Sequence, residues 1–295
     1  MGTLRRALHL LPFLAAVACA PAPAGRGPLV GVDDAGDTVR LARPALRVVS
    51  LIPASTELLF AIGAGPQVVG RTRWCDYPAA AAAVPDVGDG MTPSLEAIAA
   101  RRPDLVVLYL SGTNADVAAR LRALGVPVVQ LRTDLLESVP RHARLLGALT
   151  GRAAAADSVV RVFEADLAAA SDTLTPTAAR PTVLDLAWDQ PPIAIGRGSF
   201  QHELLVRAGA RNIFDDLPQA SAPVSIEAVV ARDPRFILTT GDSLPAFATR
   251  PEWQVVPAVR ERRFVRVHGS EFDRPGPRSP AAIRTLRAAL RAAAR

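Results

Sequence analysis

Apolar and polar positions along this chain fall into two alternating textures. Runs such as Arg47-Val48-Val49-Ser50-Leu51-Ile52, Val68-Val69-Gly70, Leu105 to Tyr109 and Val126 to Leu131 are short and almost continuously apolar, the pattern of strands buried on both faces of a sheet. Between them lie amphipathic stretches with helical spacing, including Thr56 to Ile62, ended by Gly63, and Ala115 to Leu124. Strands and helices in this alternation predict a parallel sheet covered on both sides. From about Leu135 to Leu174 the strand signal disappears, and Leu145, Leu149, Val159, Val162, Phe163 and Leu167 recur at helical spacing. Gly151 divides this region, so a long helix is expected from about Arg152 to Thr173, roughly 33 Å at 1.5 Å per residue. Alternation resumes with Thr182 to Ala187, continues through Phe264 to Val267, and closes in a terminal helix over Ala281 to Ala294.

The two alternating regions resemble each other. Ser94-Leu95-Glu96-Ala97-Ile98, followed by Arg102-Pro103-Asp104-Leu105-Val106, returns as Ser225-Ile226-Glu227-Ala228-Val229, followed by Asp233-Pro234-Arg235-Phe236-Ile237. Each copy reads as a short helix with a serine cap, an acid in its first turn near the positive end of the dipole, a proline stop and a buried strand. Glu57-Leu58-Leu59 with Gly63-Ala64 likewise matches Glu203-Leu204-Leu205 with Gly209-Ala210. The expected fold is therefore α/β, with two Rossmann-like lobes built on central parallel sheets and joined by a single long α-helix. The boundaries expected are residues 1–19 for an export signal, 20–45 for a tether and small hairpin, 46–151 for the first lobe, 152–174 for the linking helix and 180–295 for the second lobe. One helical linker is stiffer than several extended crossovers, so relative motion of the lobes should be small.

The export signal rests on Arg5 and Arg6 ahead of a short apolar run, Ala7 to Val17, which is too short to span a bilayer. Ala16-Val17-Ala18-Cys19 has the form of a bacterial lipobox, although Leu, Val or Ile is usual where Ala16 stands. Cys19 is thus a candidate for lipidation that would anchor an exported protein to the membrane, with ordinary cleavage after a small residue as the alternative. The tract from Ala20 to Gly25 suits a stiff tether, and Cys75, the other cysteine, is expected to be buried.

Charge and composition mostly exclude. The 295 residues carry a formal charge of +6, but the arginines are scattered among acids, which describes a solvated surface and not a nucleic-acid face. Lysine is absent, and with it the phosphate-loop lysine and Schiff-base chemistry. Gly63-Ala64-Gly65 runs into Pro66, which breaks a dinucleotide fingerprint, and there is no Gly-x-Ser-x-Gly elbow. His142, His202 and His268 lie far apart with no metal-ligand spacing, so no metal site is expected.

The chain from about Arg47 onward resembles the helical-backbone class of bacterial substrate-binding proteins, which serve ABC importers of cobalamin, ferric siderophores and haem. The resemblance is carried by Ser50-Leu51-Ile52-Pro53-Ala54-Ser55-Thr56-Glu57, Cys75-Asp76-Tyr77-Pro78, Pro93-Ser94-Leu95-Glu96, Leu124-Gly125-Val126-Pro127-Val128 and Arg274-Pro275-Gly276-Pro277-Arg278, in order. It is nearest to the cobalamin-binding members. It implies a binding protein without catalytic residues, a monomer that captures a corrinoid or iron chelate between its lobes and delivers it to an ABC permease dimer with its ATPase subunits. Glu96 and Glu227 fall where the class presents one glutamate per lobe tip to permease arginines. Trp74, Tyr109 and Trp188, aromatics at expected strand ends, fall where cobalamin binders line the cleft, and Glu271, Phe272, Asp273 and Arg274 fall in the loop that supplies ligand contacts. Val87-Gly88-Asp89-Gly90-Met91 replaces a tryptophan that cobalamin binders carry before the first docking helix. A ferric siderophore met by Arg71, Arg73 and Arg197, or haem on an axial Tyr109, His202 or His268, remain alternatives, as do an α/β enzyme and a ligand-sensing lipoprotein.

Overall fold

The computed structural model describes residues 28–241 and 243–295, so the export signal, Cys19 and most of the tether lie outside the described residues. The chain opens with a hairpin of β1 (Leu29–Val32) and β2 (Thr38–Leu41), antiparallel as its alternation requires. The first lobe follows: β3 (Val48–Ser50), α1 (Pro53–Ala61), β4 (Val68–Arg71), α2 (Leu95–Ala100), β5 (Leu105–Tyr109), α3 (Gly112–Ala123), β6 (Val128–Leu131) and α4 (Ser138–Leu149). Its four strands form one parallel sheet in the order β4-β3-β5-β6. β5 and β6 are buried almost throughout, which explains their unbroken apolar composition.

α5 (Ala153–Ala170) links the lobes, packed on α4 of the first and on α9 of the second. Its 18 residues make it about 27 Å long, one turn shorter than the sequence reading, because Ser171 turns extended and its hydroxyl bonds back to the Leu167 carbonyl. The second lobe comprises β7 (Thr182–Leu184), β8 (Leu186–Asp189), β9 (Pro192–Ile195), α6 (Phe200–Ala208), β10 (Arg211–Asn212), β11 (Ser221–Pro223), α7 (Ile226–Arg232), β12 (Phe236–Thr240), α8 (Pro257–Arg260), β13 (Phe264–Val267) and α9 (Ser279–Ala293). The parallel sheet here runs β10-β7-β12-β13, the same second-first-third-fourth order as in the first lobe.

The internal repeat is therefore structural in detail. Ser94 and Ser225 cap α2 and α7, accepting from the Ala97 and Ala228 amides. Gly63 and Gly209 end α1 and α6 with φ of 77° and 91°, a left-handed stop that glycine reaches without strain. Arg102 and Asp233, each before a proline, take φ of 46° and 39°. One expectation fails: Thr182 to Ala187 is not a single strand. It leaves the parallel sheet at Asp185, and β8 pairs instead with β9, whose other edge pairs with β11, in a small antiparallel sheet. The break falls at Asp185, between the end of β7 at Leu184 and the start of β8 at Leu186.

Candidate functional site

The carboxyl ends of both parallel sheets face a common cleft, the place where open α/β sheets hold ligands. A cavity of about 680 Å³ lies between the lobes. The first lobe contributes Leu51 to Ala54 after β3, Thr72, Trp74 and Asp76 after β4, Asp89 to Met91, Tyr109 at the end of β5, and Thr133 and Asp134 after β6. The second contributes Ser199 to Gln201 at the start of α6, Ala220, Ser270 and Asp273 to Pro275. A second cavity of about 630 Å³ opens in the second lobe, lined by Asp185 to Asp189, Thr239, Phe247, Phe272 and others. Gln201 and Asp273 border both, so the two adjoin.

Each wall residue is held by local chemistry. The Tyr109 hydroxyl donates to Asp134 at 2.6 Å, and burial, reinforced by that carboxylate, pushes the phenol up to about 12. It stays neutral at physiological pH. Buried Asn114 donates to the carbonyls of Tyr109 and Gly90, at 3.0 and 3.3 Å, tying the 89–91 loop to the end of β5. A Cβ on Gly90 would stand 2.4 Å from the Leu51 carbonyl oxygen, so only glycine lets that loop pass so close to β3. Trp74 is 62 % exposed and Met91 63 % exposed, an unusual state for large apolar groups unless something covers them.

The ends of the cleft are bound by an ion network across the lobes. Glu57 of α1, 3 % exposed, receives Arg278 through two hydrogen bonds of 3.0 and 2.8 Å. Arg278 also pairs with Glu271 and stacks over the Tyr77 ring at 3.8 Å. Arg274 donates to the Trp74 carbonyl at 2.9 Å, pairs with Asp76 and lies 3.9 Å from Glu57. These contacts join loops some 200 residues apart in the chain.

The sequence-predicted residues divide accordingly. Trp74, Tyr109 and Arg274 border the inter-lobe cavity. Trp188, 60 % exposed, borders the second-lobe cavity instead, on the β8–β9 sheet. Phe272 is only 4 % exposed and packs in the second-lobe core beside Leu204 and Leu286, touching the second cavity alone. Glu271 borders neither cavity and is committed to Arg278. Arg71, proposed for an acidic chelate, spends its guanidinium on the carbonyls of Thr72, Ala82 and Val84, and neither Arg73 nor Arg197 borders either cavity. His202 and His268 border neither cavity. Cys75 is fully buried, between the Thr56 and Thr72 hydroxyls at 3.1 and 3.2 Å. The residues missed were Asp89, Met91, Asp134 and Gln201, whose signal was their position just past strand ends, and Asp185, an acid inside an apolar run.

Glu96 and Glu227 are exposed in the first turns of α2 and α7. The Glu227 carboxyl lies below its ordinary value because its own backbone amide and Ser225 donate to it. Both helices run antiparallel to their sheets, so both N-termini sit at the edge on which the cleft opens. Among the described residues no group of His, Cys, Asp and Glu could hold a metal ion, and no helix is long and apolar enough to cross a membrane.

Comparison with known proteins places this geometry. A family model described as periplasmic binding protein matches residues 48–270. The vitamin B12-binding protein of Pectobacterium carotovorum subsp. carotovorum (strain PC1) is 29 % identical over 233 residues, covering 79 % of this chain and 83 % of that protein. An uncharacterized ABC transporter substrate-binding lipoprotein of Bacillus subtilis (strain 168) is 28 % identical over 257 residues, covering 84 % and 81 %. Among solved structures, the periplasmic heme-binding protein RhuT of Roseiflexus sp. RS-1, in apo form, superposes with a TM-score of 0.75 at 27 % identity, covering 84 % of this chain and 99 % of that one.

Proposed function

The chain belongs to the periplasmic binding protein family, as an ABC-type substrate-binding protein and not an enzyme, and we propose that its ligand is cobalamin or a related corrinoid held between the lobes. The observation that carries this reading is the charge of the cleft. Asp76, Asp89, Asp134 and Asp273 border it, and the one cation among the described residues lining it, Arg274, is already paired with Asp76 and near Glu57. Haem brings two propionates and ferric catecholates a higher negative charge, and both would meet repulsion in a low-dielectric cleft. A corrinoid is neutral or cationic in its inner sphere and bears amide arms that donate to carboxylates. It also offers a broad face to Trp74 and Met91. The neutral phenol of Tyr109, engaged with Asp134, is poorly prepared to serve as an axial phenolate to haem iron. A ferric hydroxamate, neutral or cationic, satisfies the same charge argument and is the second reading; it makes less use of the aromatic faces.

Glu96 and Glu227 dock the two lobe tips on an ABC permease dimer, one carboxylate per half, which gives the internal repeat a two-fold partner. Their exposure and shared position at the cleft edge support this reading. The relative named a lipoprotein supports lipidation of Cys19 and a membrane tether. Titrating the purified protein with cyanocobalamin, a ferric hydroxamate, a ferric catecholate and haemin tests the ligand. Saturable binding of cyanocobalamin at micromolar concentration or below is expected, with little affinity for haemin and the catecholate. Preference for either acidic ligand would overturn the charge argument.

A further inference from the structure

The edge of the first lobe opposite the cleft has a surface chemistry of its own. The loops that enter β3, β5 and β6 meet there, because those strands are parallel neighbours in one sheet. Arg43 and Arg47 before β3, Arg102 between α2 and β5, Arg120 in the last turn of α3 and Arg152 after α4 are all exposed at this edge. Arg47 donates to the carbonyls of Arg101 and Arg102, which ties two of the loops into one surface. Helix dipoles account for Arg120 and Arg102 at helix C-termini, but not for Arg43, and Arg152 at the N-terminus of α5 stands against its dipole. The neighbouring carboxylates are taken. Asp104 accepts from the Leu46 and Arg47 amides at 2.9 and 2.8 Å, Asp157 pairs with Arg144 at 3.2 Å, and Asp37 pairs with Arg122 at 2.8 Å. Two large apolar side chains stand among the arginines, in loops flanking β5: Leu46 is 53 % exposed and Leu124 67 % exposed. One exposed leucine is ordinary; two within a cationic rim have the composition of a bilayer interface.

The described chain also starts at this edge. Leu29 pairs with Leu41, and Ala45 donates to the Leu149 carbonyl at the end of α4; from there the hairpin runs along α4 to its tip, where Asp34 meets Arg141 and His142. Residues 20–27 separate Cys19 from Pro28, a reach of roughly 30 Å at full extension. We propose that this edge is a docking surface for an anionic phospholipid bilayer, with Arg43, Arg47, Arg102, Arg120 and Arg152 on the headgroups and Leu46 and Leu124 entering the interface between them. The surface rests on the tether reading above only for what brings a bilayer within reach. Docked in this way, the first lobe turns its strand carboxyl ends from the lipid, which leaves the cleft clear to take up ligand; the chain then lifts off to present Glu96 and Glu227 to a permease.

The test uses the full mature chain with Cys19→Ser, so that no acyl chain contributes, sedimented with vesicles of equal parts phosphatidylglycerol and phosphatidylcholine or of phosphatidylcholine alone. Binding to the anionic vesicles only is expected, and added salt should release it. Arg43→Gln with Arg102→Asn should weaken binding by about 25-fold, about fivefold for each arginine lost; asparagine suits the φ of 46° at the second position. Leu46→Ser with Leu124→Ser should weaken it by about tenfold. Arg73→Gln with Arg197→Gln removes the same charge from exposed positions past β4 and ahead of α6, on the cleft side, and should leave binding unchanged. Equal binding to neutral vesicles, equal loss from this control pair, or no loss from the leucine pair would overturn the proposal, as would capture by soluble dextran sulfate in place of vesicles. Lipidation of Cys19 is read separately, from the mass of the exported protein, so the tether and the surface can fail independently.

Discussion

Replacing Glu57 by leucine should cost the protein about 3 kcal/mol of stability. Glu57 sits in α1 at 3 % exposure, so its carboxylate has lost nearly all hydration and depends on Arg278, whose two bonds to it measure 3.0 and 2.8 Å. Removing one member of a buried pair leaves the other uncompensated, which typically costs about 3–5 kcal/mol. The lower figure applies because Arg278 keeps Glu271 and the Ser270 hydroxyl, and Arg274 keeps Asp76. Since the bonds join the two lobes, the loss also loosens their seating across the cleft. Urea unfolding followed by the fluorescence of Trp253, buried in the second-lobe core, and by circular dichroism measures the loss. The double variant Glu57→Leu with Arg278→Leu should recover most of it, because a buried pair exchanged for apolar groups is close to neutral. A loss below about 1 kcal/mol in Glu57→Leu would refute the reasoning, as it would place the pair among weak surface bridges.

Three further outcomes follow from other residues. Asp185 has a folded-state pKa raised to about 7, so folded protein holds a proton that unfolded protein releases between roughly pH 4 and 7, and stability falls as pH rises through that window. Asp185→Asn removes this dependence and should be more stable than the parent at pH 8, by at most about 4 kcal/mol, and little different below pH 4; equal pH profiles by thermal melting would contradict it. Tyr109 should ionise near pH 12 in an ultraviolet phenolate titration, and Asp134→Asn should bring it down, while an unmoved value would remove Asp134 as a cause. Glu96→Ala with Glu227→Ala should abolish stimulation of the cognate transporter's ATPase and leave ligand affinity unchanged; lost affinity would mean the two carboxylates act at the ligand.

Much of the fold was legible because two independent codes agree. Unbroken apolar runs placed β5, β6, β12 and β13, and repeated serine caps, glycine stops and prolines set the ends of the helices between them. What escaped was decided by distant partners. The departure of β8 from the parallel sheet is invisible to periodicity, since Leu184 and Leu186 flank Asp185 just as they would in a continuous strand. Trp74, Tyr109 and Trp188 were singled out by the resemblance to cobalamin binders together with their place at expected strand ends; Trp74 and Tyr109 border the inter-lobe cavity, whereas the antiparallel hairpin of Trp188 carries it to the neighbouring one. Phe272 shows the opposite case: residue type cannot tell a cleft aromatic from a core one, and packing against Leu204 and Leu286 decides it. Glu271 and Arg274 read as ligand contacts because the groups that engage them are invisible in the sequence: Arg278 takes Glu271, and Asp76 and Glu57 of the other lobe face Arg274.

Equilibrium dialysis of cyanocobalamin against the protein and against Ala220→Trp tests most directly whether a corrinoid is captured between the lobes. Ala220 is exposed and borders the inter-lobe cavity, so an indole there fills ligand space without disturbing a core. One equivalent of cyanocobalamin bound by the parent chain, and none by a folded Ala220→Trp, is the predicted result. Absence of saturable binding, or equal binding by both, would contradict the account.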